Sequence, residues 1–318
     1  MELEEKLIRK KLRRNIGSYG WALLIYYILM TICVTAVIAV QASLQMLQSA
    51  VNGQIGAVDE SVLRGNGWGY IIACVLAVIL IRLWKGKKFF HSLWKTERAM
   101  TWGDFWRLLC VSLSAQFIFQ IFATVTELLL NMLGLSALEA LEQATGGADT
   151  YSMFLYFSLG APIVEEIVFR GAVLRGLEKY GKGFAILFSA FLFGAFHGNL
   201  LQSPYAFLVG LVLGYVTVEY NILWAMVLHM VNNLLLGDML PRIFGIFGTF
   251  VADFAVQMVI IAAFVAALVI VIRKHRQVRE YIAGSLASRQ HVRAFFTAAG
   301  NIVLILFMLV NAIAMLFV

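Results

Sequence analysis

Charge is what this sequence has little of. Only 14% of its 318 residues are Asp, Glu, Lys or Arg, against 61% that are hydrophobic, whereas soluble domains lie near ~45–50% apolar. That shortage excludes a soluble globular domain of this length, because too little polar surface is left to cover a core. Proline is scarce as well, with three in the chain, and no Gly/Ser/Pro-rich stretch divides it, which excludes a string of domains on flexible linkers. There are three cysteines, Cys33, Cys74 and Cys110. None forms a CxxC pair and each lies in or beside an apolar run, so they read as small buried hydrophobes and leave the redox compartment open. The HExxH pattern of the common zinc proteases is absent. No serine or cysteine stands convincingly beside a histidine, which speaks against a covalent nucleophile. No internal repeat is evident.

What is present is a succession of apolar runs, many long enough to cross a bilayer at about 20 residues each. Nine candidate spans are read at 19–45, 68–84, 106–133, 152–175, 183–199, 204–219, 222–237, 250–272 and 301–317. The expected fold class is all-α, a polytopic transmembrane bundle of eight or nine spans, eight if 301–317 lies flat. The first span is too long, and too poorly followed by a cleavage site, to be a signal peptide, and is read as retained.

The formal net charge is +7, but its placement argues against nucleic acid. Basic residues gather in alternate connections: the N-terminal arm, residues 82–107, 171–182 and 273–293. Arg64 and Arg242 fall on the other side, and Arg170 lies inside a span. This is the positive-inside pattern with a cytoplasmic N-terminus. Residues 86–106, where bases alternate with Trp and Phe, read as a helix at the inner interface, and 275–295 as another. Gly210 and Gly214 form a small-xxx-small pair suited to close helix packing. Three parts are expected in one bundle: 1–150, N-terminal transmembrane helices with the interfacial segment; 151–237, a core bearing the polar groups; 238–318, the C-terminal helices.

Within this apolar chain, charges at membrane depth need a reason, because each costs several kcal/mol there. The segment "APIVEEIVFRG" (161–171) holds three. Glu166 and Arg170 are i and i+4, neighbours on one helix face, and read as an ion pair. Glu165 points about 100° away and is left free for chemistry, although the reverse assignment of the two glutamates stays open. Pro162 either starts a helix or kinks one, and both options distort the backbone beside the polar site, which favours a wet pocket. Phe193 and His197 are i and i+4 in the next span; His229 and Asn233 are i and i+4 in a later one. His91, His275 and His291 sit in basic interfacial stretches and read as solvated. Glu127 and Asp253 lie near outside ends, where headgroup solvation explains them.

A carboxylate, two histidines and an amide on three apolar helices suggest hydrolysis. Glu165 can act as general base on water with help from His197, while His229 and Asn233 donate to a tetrahedral oxyanion. Glu165, His197 and His229 are also a familiar zinc set with an open fourth position, so metal and metal-free chemistry both stay open. Two rivals remain: a transporter or channel with an intramembrane proton or ion relay, although no inverted repeat is evident, and a non-catalytic membrane scaffold.

"EEIVFR" (165–170), "FGAFH" (193–197) and "HMVNN" (229–233) resemble, in order and spacing, the EExxxR, FxxxH and HxxxN motifs of the CAAX-protease and bacteriocin-processing family. The resemblance covers roughly 151–237. It implies an intramembrane endopeptidase in which Glu165 and His197 activate water, His229 and Asn233 stabilise the oxyanion, and Glu166, Arg170 and Phe193 support the site. It also implies a membrane protein or peptide substrate, lipidated in some relatives, held at the lipid bilayer with no nucleic acid involved. The cofactor is left unassigned, with zinc the one to test and a metal-free mechanism preferred. A bacterial cytoplasmic membrane is the expected location.

Overall fold

The computed structural model describes residues 2–52, 58–59, 62–63, 65–145 and 150–317. Arg64, assigned above to the far side of the membrane, lies outside the described residues. The described chain is helical and carries no strand. Seven of its helices are long and apolar enough to cross a membrane.

Helix α1 (Glu2–Val51) joins the basic arm and the first apolar run in one unit of 50 residues, about 75 Å at ~1.5 Å per residue. It buries Leu12, Ile16, Tyr19, Leu23 and Tyr26, whose alternating steps of four and three residues make one stripe along the helix. Its outward residues Ile25, Ile28 and Ile32 are exposed, as a lipid-facing surface requires. Helix α2 (Trp68–Ser92) bends at Gly86, where φ is +79°. Helix α3 (Trp102–Asn131) starts at Thr101, whose hydroxyl caps Asp104 N–H. Helix α4 (Ala137–Thr145) is short.

Helix α5 (Tyr151–Tyr180) contains two widened π segments, Tyr156–Gly160 and Glu166–Leu174. Every residue of the second is buried. Helices α6 (Lys182–Phe196) and α7 (Gln202–Glu219) follow, then α8 (Ile222–Gly245) and α9 (Thr249–Arg273). Two short amphipathic helices, α10 (His275–Gly284) and α11 (Arg289–Phe296), precede the last helix, α12 (Ala299–Phe317). Helices α5 and α6 share one core with α1, α2, α11 and α12. Helices α7 and α8 share a second with α3 and α9. The chain segment richest in motifs therefore lies in the middle of the bundle.

Of the nine expected spans, those at 183–199 and 204–219 fall on α6 and α7, which are not among the seven helices long and apolar enough to cross. The fifteen residues of α6 are short for a span. Helix α6 stops because Gly198, at φ +54°, turns the chain in a left-handed conformation that favours glycine. It can be short because it is enclosed: Phe184, Ala185, Ala190 and Leu192 are fully buried. The close packing read from Gly210 and Gly214 is present. A Cβ at Gly210 would stand 3.1 Å from that of Ala190, and one at Gly214 would stand 3.2 Å from Ile186 Cγ2.

Three further readings change. Residues 86–106 do not form one interfacial helix. They comprise the end of α2 past Gly86, a non-helical link, and the start of α3; the link is pinned where Glu97 N–H donates to Tyr220 O at 2.8 Å. His291 is half-buried against Tyr180 and Phe184 rather than solvated. Glu127 has a structural partner: it accepts from Ser136 Oγ at 2.7 Å and from the N–H groups of Ala137 and Leu138 at 2.8 and 3.0 Å, capping α4.

Candidate active site

The site is built outward from Arg170. Its guanidinium is fully buried, and Nη1 lies 3.1 Å from Glu166 Oε1, also fully buried. The i, i+4 pair expected from spacing is therefore present. Arg170 also leaves its own helix. Its Nη2 donates to Gly210 O on α7 at 3.2 Å, and its guanidinium stands 4.3 Å from the ring centre of Phe193 on α6, within cation–π range. One cation thus ties α5, α6 and α7 together.

Phe193 is the hinge of the aromatic contacts. Its ring meets His197 edge-on with centroids 4.9 Å apart, and His229 edge-on at 5.8 Å. Its carbonyl lies 2.8 Å from His197 Nδ1. This contact follows from the helix end. His197 is the C-cap of α6 rather than a mid-helix residue, and its backbone N–H has turned to Gly194 O at 3.2 Å. The carbonyl of Phe193, one of the last in the helix, is satisfied by the imidazole. Because a carbonyl only accepts, Nδ1 carries the proton and the lone pair of Nε2 is left for the cavity.

His229 lies on α8, whose start is fixed by Asn221. The Asn221 side chain accepts from Trp224 N–H at 2.9 Å and donates to Thr96 Oγ1 at 3.1 Å. His229 Nδ1 lies 3.0 Å from Glu166 Oε1 and its Nε2 lies 3.9 Å from Glu165 Oε2. The two adjacent glutamates, expected to point apart, approach opposite edges of the same imidazole. Glu166 is sealed, whereas the Glu165 side chain is 17% exposed.

Asn233 depends on Pro162. In the π segment Tyr156–Gly160 the N–H of Ala161 reaches back to Tyr156 O. The next donor in that register is residue 162, a proline with no N–H, so Phe157 O lacks its helical partner. Asn233 Nδ2 donates to that carbonyl at 3.2 Å. Pro162 stands in the first turn of the α-helical stretch Ala161–Glu165, between the two widened segments, and the backbone there gives up one carbonyl to α8.

Glu165, His197, His229 and Asn233 all line one cavity of about 310 Å³. Sequence reasoning missed other residues on its wall. Asn232, beside Asn233 and on the same turn, is buried and donates to Tyr205 Oη at 3.0 Å; the doubled asparagine in "HMVNN" was the available signal. Tyr26 of α1, Tyr70 of α2 and Asn311 of α12 also reach the cavity. Asn311 donates to Gly198 O at 3.0 Å, which supports the turn after His197. The adjacent tyrosines of "LLIYYILM" were the signal for Tyr26, but nothing local pointed to Asn311.

Among the described residues, no three His, Cys, Asp or Glu side chains gather closely enough to hold a metal ion. Glu165, His197 and His229 border one cavity.

The fold is that of a polytopic helical membrane protein, and its centre is an acid–imidazole–amide cluster on three successive motif-bearing helices. Residues 147–235 match the family described as Type II CAAX prenyl endopeptidase Rce1-like, which supports the resemblance of this segment to the CAAX-protease and bacteriocin-processing family. The match takes in α5 to α7 and most of α8. No curated protein and no solved structure matches the chain.

Proposed function

We propose that this chain is an intramembrane endopeptidase that hydrolyses a peptide bond of a membrane-associated protein or peptide with water activated by Glu165. The observation that carries the reading is the division of labour around His229. Glu166 holds the ring at Nδ1, while Glu165 lines the cavity beside Nε2 with its side chain partly exposed. A carboxylate used only for structure has no need of an open face.

In the proposed reaction a water sits between Glu165 and His197, whose free Nε2 accepts a hydrogen bond from it. Glu165 takes a proton as the water oxygen attacks the carbonyl carbon. The carbonyl oxygen becomes an oxyanion, to which Asn233 can offer the second Nδ2 hydrogen, the first being held by Phe157 O. His229 stands on the same side. With Nδ1–H turned to Glu166, its Nε2 donates when the ring is an imidazolium. As the C–N bond breaks, Glu165 returns its proton to the departing amine. Phe193 and Arg170 keep the two imidazoles in register. The step needs no metal, and none of it is routed through one. The family description supports endopeptidase chemistry; the cavity lies among apolar helices, which supports a substrate presented from the membrane, with a bacterial cytoplasmic membrane as the proposed setting.

The test is cleavage of a diverse peptide library, including lipidated members, by the purified protein in detergent, read by mass spectrometry. Wild type is expected to cleave, and Glu165→Gln to lose roughly 10²–10⁴-fold of the rate. A chelator arm is expected to leave the wild-type rate unchanged. Retention of full activity by Glu165→Gln would sink the assignment, as would inactivity of a well-folded wild type on every substrate.

A further inference from the structure

A second site lies at the basic end of the bundle, away from the polar cavity. Arg9 and Arg13 of α1 and Arg289 and Arg293 of α11 open onto one cleft of about 420 Å³, with Leu12, Ala294, Gln290 and Thr297 completing its walls. It shares no residue with the cavity of Glu165, and its residues fall outside the segment matched to the family.

Apolar packing forces these four cations together. Leu12 and Ile16 of α1 are buried with Ala294, Phe295 and Ala298. Just beyond, the chains touch backbone to backbone: a Cβ at Gly20 would stand 2.4 Å from the carbonyl of Gly300, and one at Gly300 would stand 2.1 Å from Gly17 O. The contact fixes opposite ends of the chain against each other. Little neutralises the result. Arg9 pairs with Glu5 at 3.3 Å, both more than half exposed. Among the described residues, Arg13, Arg289 and Arg293 have no ion-pair partner. Like charges held in one cleft repel, and a bound anion offsets this more directly than solvent screening does.

We propose that this cleft binds a phosphate-bearing group. Guanidinium forks match phosphate oxygens in bidentate fashion, and two from each wall can close on one group from both sides. The cleft also exceeds a single small anion, and Gln290 and Thr297 add polar contacts beside it. Its level suits a headgroup. Arg13 precedes the apolar run of α1 by about six residues, ~9 Å along the helix, and basic pockets at this depth bind anionic headgroups. A soluble phosphate would meet the same chemistry, so the experiment separates the two.

The full-length protein is melted in a neutral detergent while phosphatidylglycerol, phosphatidylcholine or inorganic pyrophosphate is titrated in. The expected result is a rise in Tm with phosphatidylglycerol and none with phosphatidylcholine. The double variant Arg13→Gln/Arg293→Gln should need roughly thirtyfold more lipid for the same rise. Without ligand its Tm should equal or exceed that of wild type, because repulsion has been removed. A shift with pyrophosphate, lost in the variant, would keep the site and assign it to a soluble phosphate. Should that variant fail to fold, Arg9→Gln/Arg289→Gln carries the same test from the other arginine of each wall. The proposal is overturned if neither phosphatidylglycerol nor pyrophosphate shifts wild type, or if wild type and variant respond alike. None of these outcomes depends on peptide cleavage, so this site and the protease reading can fail separately.

Discussion

Glu166 Oε1 stands 3.1 Å from Arg170 Nη1 and 3.0 Å from His229 Nδ1, so a single oxygen joins the ion pair of one helix to the imidazole of another. Glu166 is the residue on which the site's geometry converges, although Glu165 is the one with access to the cavity. Glu166→Gln leaves the fully buried Arg170 without its counter-charge. A loss of about 3–5 kcal/mol is expected, measured by thermal or denaturant unfolding in detergent. Glu166→Gln/Arg170→Met should recover most of that stability without recovering activity, because the amide lacks the negative charge that supports a His229 imidazolium. If the double variant is no more stable than the single, the pair is not the source of the loss.

Pro162 is expected to act on Asn233 through Phe157 O. Pro162→Ala restores an N–H that can take this carbonyl within the helix and so releases Asn233. Peptide cleavage should fall about tenfold to a hundredfold from misplacement of the amide, while the melting temperature holds or rises as the helix regains a hydrogen bond. Unchanged kinetics would show that the Asn233 contact does not position the side chain.

Gly20 and Gly237 should respond in opposite directions to alanine. A Cβ at Gly20 meets the Gly300 backbone at 2.4 Å, whereas one at Gly237 meets nothing within 4 Å. Gly20→Ala is expected to cost roughly 1–3 kcal/mol and Gly237→Ala to stabilise by roughly 0.5–1 kcal/mol. Paired melting curves decide it.

Asn221 separates stability from chemistry. Asn221→Ala removes the cap of α8 and the bond to Thr96, for an expected loss of about 1–2 kcal/mol. Asn221→Asp retains the acceptor for Trp224 N–H and should restore most of this. If the alanine variant melts like wild type, Trp224 N–H has found another acceptor.

Much of the site was legible because helical spacing is a local rule. The Glu166–Arg170 pair, the shared face of His229 and Asn233 and the tight contact at Gly210 each follow from residues three or four apart. Other features depended on neighbours distant in sequence. Glu165 and Glu166 were read as pointing apart from their own helix alone, yet an imidazole from α8 lies between them. His197 was placed inside the apolar run 183–199, but that α6 stops at this residue is set by the positive φ of Gly198. Asn232 and Tyr205 carried no motif of their own.

The sequence by itself determined that the chain is a helical membrane protein, where its apolar runs lie, and that three of them carry acid, imidazole and amide groups. It could do so because hydropathy and the 3.6-residue period are properties of each segment alone. Only the tertiary structure decided which nitrogen of His229 faces which glutamate, that the carbonyl orphaned by Pro162 is taken by Asn233, and that arginines from the two ends of the chain share a cleft. Those relations depend on how helices are rotated and packed against one another, and that rotation is fixed by long-range fits such as Gly20 on Gly300 and Arg170 on Phe193.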